Sequence, residues 1–209
     1  MPNRILLALL AVSIAGCAMA REPSKTPRTA IEQLLLAQAI DRSLRDLRVP
    51  IPDGSTVALD VAGFSNYTLV GTDATASTGA VYGSPSDLAY ARDVVAGRLG
   101  ELGHRILSSP EGAGYRIKVI VQALGTEQGD TFFGMPAVQS VLIPFALPEL
   151  TLYREQDQMG YMRYSLNVYE AASGRLVRST PWYLGTAYYN QYTVLFFLRF
   201  KRTDLTFPP

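Results

Sequence analysis

A chain of 209 residues, 48% of them hydrophobic, has the length of one domain or of a domain with an arm. It can bury roughly 70% of its unfolded surface, so it needs neither disulfide nor metal to fold. The net charge of +1, from 19 basic and 18 acidic residues, provides no chain-wide basic field and argues against nucleic acid and a polybasic membrane-surface mode.

The first sixteen residues read as a secretory signal. Arg4 gives a positive start, Ile5 to Ile14 an apolar run, and Ala15-Gly16 the small residues of a cleavage site. The apolar run is shorter than the roughly 20 residues that span a bilayer. Ile14-Ala15-Gly16-Cys17 resembles a bacterial lipobox, in which the cysteine takes a diacylglycerol and the chain is cut before it. Cys17 is the only cysteine in the chain, so no internal disulfide can form. An acylated cysteine would hold the chain to a membrane at about 0.8 kcal/mol per buried CH₂. In such lipoproteins Asp after the cysteine favours the inner membrane; here Ala18 follows, which implies the outer membrane, facing the periplasm. The covalent lipid on Cys17 is the only added group expected, with no other cofactor.

Residues 17–28 form the lipidated cysteine and a polar tether carrying Pro23 and Pro27. Thr29-Ala30-Ile31-Glu32 has the form of a capping box. Ile31, Leu35, Leu36, Ala39, Ile40, Leu44 and Leu47 recur at helical steps, so the helix is predicted to run to about Leu47. Thr56 to Val61 alternates and reads as a strand. Residues 64–83 are small and polar, a connection of the length that is usually functional or disordered, and are expected to be a mobile loop. Ser84-Pro85-Ser86-Asp87 opens a second helix, whose stripe Leu88, Ala91, Val95, Leu99 and Leu102 ends at Gly103. His104 to Leu107 is a short strand, so strand, helix and strand suggest a right-handed βαβ crossover.

Tyr115, Ile117, Val119, Val121 and Ala123 give the clearest half-buried strand. A hairpin follows later: Met162 to Glu170 outward, a turn at Ser173-Gly174, and Leu176 to Thr180 back. Between them, residues 132–150 are apolar but broken by Gly134, Pro136, Pro144 and Pro148, which argues against a regular central strand. This stretch is expected to be either a core cover or a projecting arm that presents Val141, Leu142, Ile143 and Phe145 to a partner. Tyr183 to Phe200 is dense in aromatics and has no assigned element. The predicted class is therefore α+β: a mainly antiparallel sheet, helices packed on one face, and one βαβ-like unit. Residues 29–209 are taken as one periplasmic domain.

The chemistry-bearing inventory is thin. His104 is the only histidine, and a lone histidine is far more often structural than a base. There is no G-x-S-x-G, CxxC or H-E-x-x-H, and no phosphate loop, so the usual zinc ligand sets are out of reach and no metal site is expected. Glu127/Asp130 and Glu155/Asp157 are paired acids that flank the apolar stretch in loop-like surroundings; such pairs could do acid/base work on a glycan, but solvation is the ordinary role. Asp60 sits near a strand end with the same bland expectation. No enzymatic activity is expected. Trp182, Tyr188, Tyr189 and Tyr192 are a candidate stacking platform for a glycan or peptide, against the plain alternative that they are core.

Arg28 to Leu35 with Ala39-Ile40-Asp41-Arg42, Leu147-Pro148-Glu149-Leu150, Ala172-Ser173-Gly174-Arg175-Leu176, and Gly185 to Tyr189 with Tyr192 to Leu195 together resemble a family of bacterial lipoproteins that carries a domain of unknown function. The family implies no activity. Val57 to Phe64, with the helix at 87–102, is more remotely similar to the opening of outer-membrane export-ring lipoproteins, such as those of curli and Pel secretion, and of peptidoglycan-synthase activators. The resulting expectation is a lipid-anchored protein serving envelope assembly or export through protein contacts. Its partner is a second copy of itself or another envelope protein, and the alternative is the glycan- or peptide-binding module.

Overall fold

Thr29 and Glu32 close the capping box that the sequence predicts. The Glu32 amide donates to Thr29 Oγ1 at 3.3 Å, and the Thr29 amide donates to the Glu32 carboxylate at 2.7 Å. Helix α1 (Ala30–Leu44) follows, burying Leu35, Leu36, Ala39, Ile40 and Leu44. It ends at Leu44 rather than near Leu47, since the Arg45 and Leu47 amides turn back to Arg42 and Leu44. Leu47 is nevertheless buried, which is why its place in the apolar stripe extended the predicted helix. The computed structural model describes residues 29–63, 85–136, 138–139, 146–147 and 149–208. Cys17 with its signal and tether, the stretch 64–83, Ser84, and Val141, Leu142, Ile143 and Phe145 lie outside the described residues.

Strand β1 (Thr56–Gly63), helix α2 (Pro85–Glu101) and strand β2 (Arg105–Leu107) form the expected crossover unit. β1 and β2 pair in parallel, with Thr56 opposite Arg105. Parallel neighbours cannot be joined by a tight turn, and α2 supplies the return. β1 also pairs in parallel with β3 (Tyr115–Met135), from Val57 opposite Tyr115 to Gly63 opposite Val121. After β3 come the two-residue strands β4 (Val138–Gln139) and β5 (Ala146–Leu147), which pair with each other antiparallel. Then follow β6 (Leu150–Glu170), β7 (Leu176–Ser179), β8 (Tyr183–Val194) and β9 (Leu198–Thr203). The predicted hairpin is present: β6 and β7 pair antiparallel, and Gly174 turns between them with φ +68°.

The main sheet has seven strands in the order β2-β1-β3-β6-β8-β9, with β7 branching from β6. It is mixed, which corrects the expectation of a mainly antiparallel sheet. The error arose at Tyr115–Ala123, whose alternating pattern suits a hairpin strand. A parallel strand alternates just as well when helices cover only one of its faces. Here the core holds Val57 and Leu59 of β1, Ile117, Val119 and Val121 of β3, and Met162, Tyr164, Leu166 and Val168 of β6, together with both helices.

β3 and β6 are also longer than predicted, at 21 residues each. Phe132 to Met135, the start of the stretch expected to be irregular, belongs to β3, and Leu150 opens β6.

The chain divides into two compact units. Among the described residues, the larger contains 29–126, 159–187 and 205–208, and the smaller 127–158 and 188–204. In the larger unit α1 lies close to the backbone of β6 and β8. A Cβ at Gly160 would come within 2.5 Å of the Leu35 carbonyl oxygen, and one at Gly185 would meet the Ala39 carbonyl and Ser43. Tyr164, fully buried, donates its hydroxyl to the Ser43 carbonyl at 3.3 Å, and burial pushes its ionisation well above the ordinary tyrosine range. Arg42 donates to the Thr186 carbonyl at 2.8 Å, and the Thr206 amide donates to the Gln38 side chain at 2.9 Å.

Candidate functional site

The smaller unit is built from strand segments in the order β3, β6, β8 and β9. Neighbouring positions on β3 and β6 run oppositely: Gly134 lies against Leu150, and Asp130 against Arg154. β8 and β9 pair antiparallel, from Tyr189 opposite Thr203 to Val194 opposite Leu198. Side chains alternate between faces along a strand. One face of the β8–β9 hairpin therefore carries Gln191 with Lys201 and Thr193 with Arg199, while the other carries Tyr192 with Phe200 and Val194 with Leu198. Tyr192 and Phe200 stack with ring centres 4.9 Å apart.

At the end of that hairpin the chain turns through Leu195, Phe196 and Phe197. Leu195 and Phe196 have φ values of 49° and 57°, in the left-handed region where glycine or asparagine is usual. The Phe197 amide donates to the Leu195 carbonyl at 2.8 Å, and the Leu195 amide to the Leu152 carbonyl at 2.9 Å. Phe196 and Phe197 are 59% and 63% exposed and meet edge to face. Phe133, Met135, Leu150, Leu152, Leu198 and Phe200 of the same unit are also exposed. So many large apolar side chains in water mark a contact surface more readily than a catalytic one.

The four acids read as loop residues sit in strands instead. Asp130 accepts from Arg154 Nε at 3.1 Å and from a second guanidinium nitrogen, and Glu149 lies 3.6 Å from the same guanidinium. The bond to Asp130 holds the Arg154 guanidinium protonated beyond its usual range. Glu155 accepts from the Tyr153 hydroxyl at 2.8 Å, which, with burial and the carboxylate's charge adding to it, pushes that phenol up to about 12. Asp157 lies against Gly129. Asp130 and Glu155 thus each hold a neighbouring donor in place.

The other sequence candidates separate. Trp182, 46% exposed, belongs to the larger unit, with the Arg163 guanidinium 5.4 Å from its ring centre. Tyr188, Tyr189 and Tyr192 belong to the smaller. Tyr189 is 1% exposed, has Lys201 5.7 Å from its ring centre, and accepts from Gln191 at 3.1 Å, so it is core rather than platform. The Tyr188 backbone is fixed by Asp204 and Thr203. His104 is buried just after Gly103, whose φ of +89° ends α2, and its Nδ1 has no hydrogen-bond partner. Asp60 accepts from the Val61 amide at 2.9 Å and lies 3.6 Å from Arg116. Among the described residues no group of histidine, cysteine and acids is set to hold a metal ion.

Sequence reasoning missed the Asp130–Arg154–Glu149 cluster and the exposed Leu195–Leu198 turn. The second had a signal: Leu195 to Thr203 combines five large apolar residues with Arg199, Lys201 and Arg202 and contains no acid. No helix among the described residues is long and apolar enough to cross a membrane. No protein-family model matches the chain, and no curated protein matches it in sequence.

Proposed function

We propose that the chain is a lipid-anchored protein of the outer membrane, facing the periplasm, that serves envelope assembly or export through protein–protein contacts rather than catalysis. The anchor half of this reading rests on Ile14 to Cys17 and on Ala18 after them, with the resemblance to lipoproteins of unknown function leaning the same way. The contact half rests on one observation, the surface of the smaller unit. β9 stands at the end of the strand order. Among the described residues, β1 pairs only 115–121 of β3, which leaves 127–135 as a second edge. Unpaired strand edges beside exposed apolar side chains are the ordinary means by which sheets recruit another chain. The partner is a second copy or another envelope protein.

A glycan- or peptide-binding role is the alternative, and it is supported by Trp182, exposed beside Arg163. Two measurements on one preparation separate the claims. Replacing Cys17 with Ser should release the protein from the outer-membrane fraction; continued detergent-sensitive attachment refutes the anchor. Native mass and crosslinking of the detergent-extracted wild type should show an oligomer or a bound envelope protein. A lone monomer that crosslinks to nothing refutes the contact role.

A further inference from the structure

We propose that the β8–β9 turn is a membrane-inserting tip, with Leu195, Phe196, Phe197 and Leu198 entering the interface of an anionic lipid surface and Arg199, Lys201 and Arg202 meeting its phosphates. This site is separate from any lipid on Cys17 and stands or falls without it.

Three independent features converge on the turn. The first is its residue choice. A tight turn in water favours glycine, asparagine or aspartate, which tolerate positive φ and hydrate well. Here Leu195 and Phe196 take those angles, and the turn is tied down by the Leu195 amide on the Leu152 carbonyl. Strain of this kind is a pointer to function when the side chains it displays have nothing to gain from water. The second is shape: Phe196 and Phe197 are both mostly exposed, packed edge to face at the end of a hairpin. Phenylalanine and leucine of this exposure are the side chains that interfacial anchors bury about 5–10 Å into the headgroup and acyl boundary.

The third feature is charge, and it selects the occupant. Although the whole chain is nearly neutral, all three bases of the run after the turn are exposed and no acid interrupts them. Arg199 trails Phe197 by two residues, about 7 Å of strand rise, so its guanidinium reaches the phosphate layer when the rings reach the acyl chains. Lys201 and Arg202 follow behind it, within the field of an anionic leaflet. An apolar knob alone would suit a protein pocket equally well. An apolar knob backed by a run of bases without an acid suits a bilayer of net negative charge.

The test uses the full chain with Cys17→Ser, which removes the acyl acceptor and leaves no native thiol. Phe197→Cys then gives a single site for an environment-sensitive NBD label, and Phe196→Cys and Val177→Cys on β7 give a second tip site and a control site in the larger unit. On phosphatidylcholine vesicles containing phosphatidylglycerol, the tip labels should shift to the blue and be quenched by chain-labelled doxyl lipid. The Val177 label should keep its aqueous emission. Arg199→Gln, Lys201→Gln and Arg202→Gln together should weaken vesicle binding at the tip about a hundredfold, since each base near an anionic surface adds roughly fivefold. Aqueous emission of both tip labels on these vesicles overturns the proposal. So does a blue shift without lipid accompanied by a native mass above one chain, which would make the turn a protein interface.

Discussion

Gly160 and Gly185 carry helix α1, and a single methyl group at either should unseat it. At Gly185 the new Cβ would press on the Ala39 carbonyl and lie 2.6 Å from the Ser43 amide nitrogen; at Gly160 it would lie 2.5 Å from the Leu35 carbonyl. The obstacles are helix backbone, which cannot step aside as a flexible side chain can. The whole helix must lift, loosening Leu35, Ala39 and Ile40, all fully buried. Overpacking of this kind costs about 1–3 kcal/mol, which at about 2–4 °C per kcal/mol for a chain of this size predicts a melting point lowered by roughly 2–12 °C. Because one movement of α1 relieves both clashes, Gly160→Ala and Gly185→Ala together should cost less than the sum of the singles. Gly97→Ala is the opposite case. In the middle of α2 the added Cβ meets nothing, so the gain in helix propensity of about 1 kcal/mol should raise the melting point. The assay is thermal unfolding followed by circular dichroism on all four variants. Melting of Gly185→Ala at or above the wild-type temperature would refute the argument.

Two further outcomes follow from the smaller unit. The folded protein holds the Tyr153 proton more tightly than the unfolded chain does, with a folded value of about 12 against the ordinary 10.0. The stability it contributes is therefore complete below pH 10 and lost as pH rises toward 12. Between those limits the wild type should lose more melting temperature than Tyr153→Phe, and parallel losses would contradict this. Arg154→Ala strips Asp130 and Glu149 of their shared cation. With side chains about a third exposed or less at the main contact, this should cost about 1 kcal/mol in urea unfolding, whereas Arg45→Ala, from a largely exposed pair with Asp41, should cost less than about 0.5. Equal costs would show that the cluster contributes no more than a surface pair.

What could be read from the sequence were the places where local chemistry and burial agree. Thr29 and Glu32 name the start of α1, Ser173-Gly174 names the β6–β7 turn, and the alternation of Val57 to Val61 names β1. Legibility fails where strands leave the helix-covered core. Glu127, Gln128, Asp130 and Thr131 of β3, and Arg154 to Gln158 of β6, are polar at successive positions, so no period of two survives. Their pairing partners, not their sidedness, make them strands. The β8–β9 hairpin was hidden for a different reason: its turn residues Leu195 and Phe196 carry the chemistry of a strand, and the turn signal a reader looks for is absent. The exposed site was therefore illegible as structure, while its composition, aromatics followed by bases without an acid, stood in plain view.

The seat of α1 has a consequence for how the chain comes to be folded. Among the described residues this helix is the first element to be synthesised, and although α2 packs on it early, a good part of its seat comes late: Gly160, Tyr164, Gly185, Thr186 and Thr206. More than a hundred residues must be made before that part of its face finds cover. Contacts of such long sequence separation make folding slow, because the loop must close before any contact rewards it. The side of α1 that meets Gly160 and Gly185, at Leu35 and Ala39, thus stays open to solvent and to other chains until late in synthesis, the condition under which nascent proteins depend on a holding chaperone.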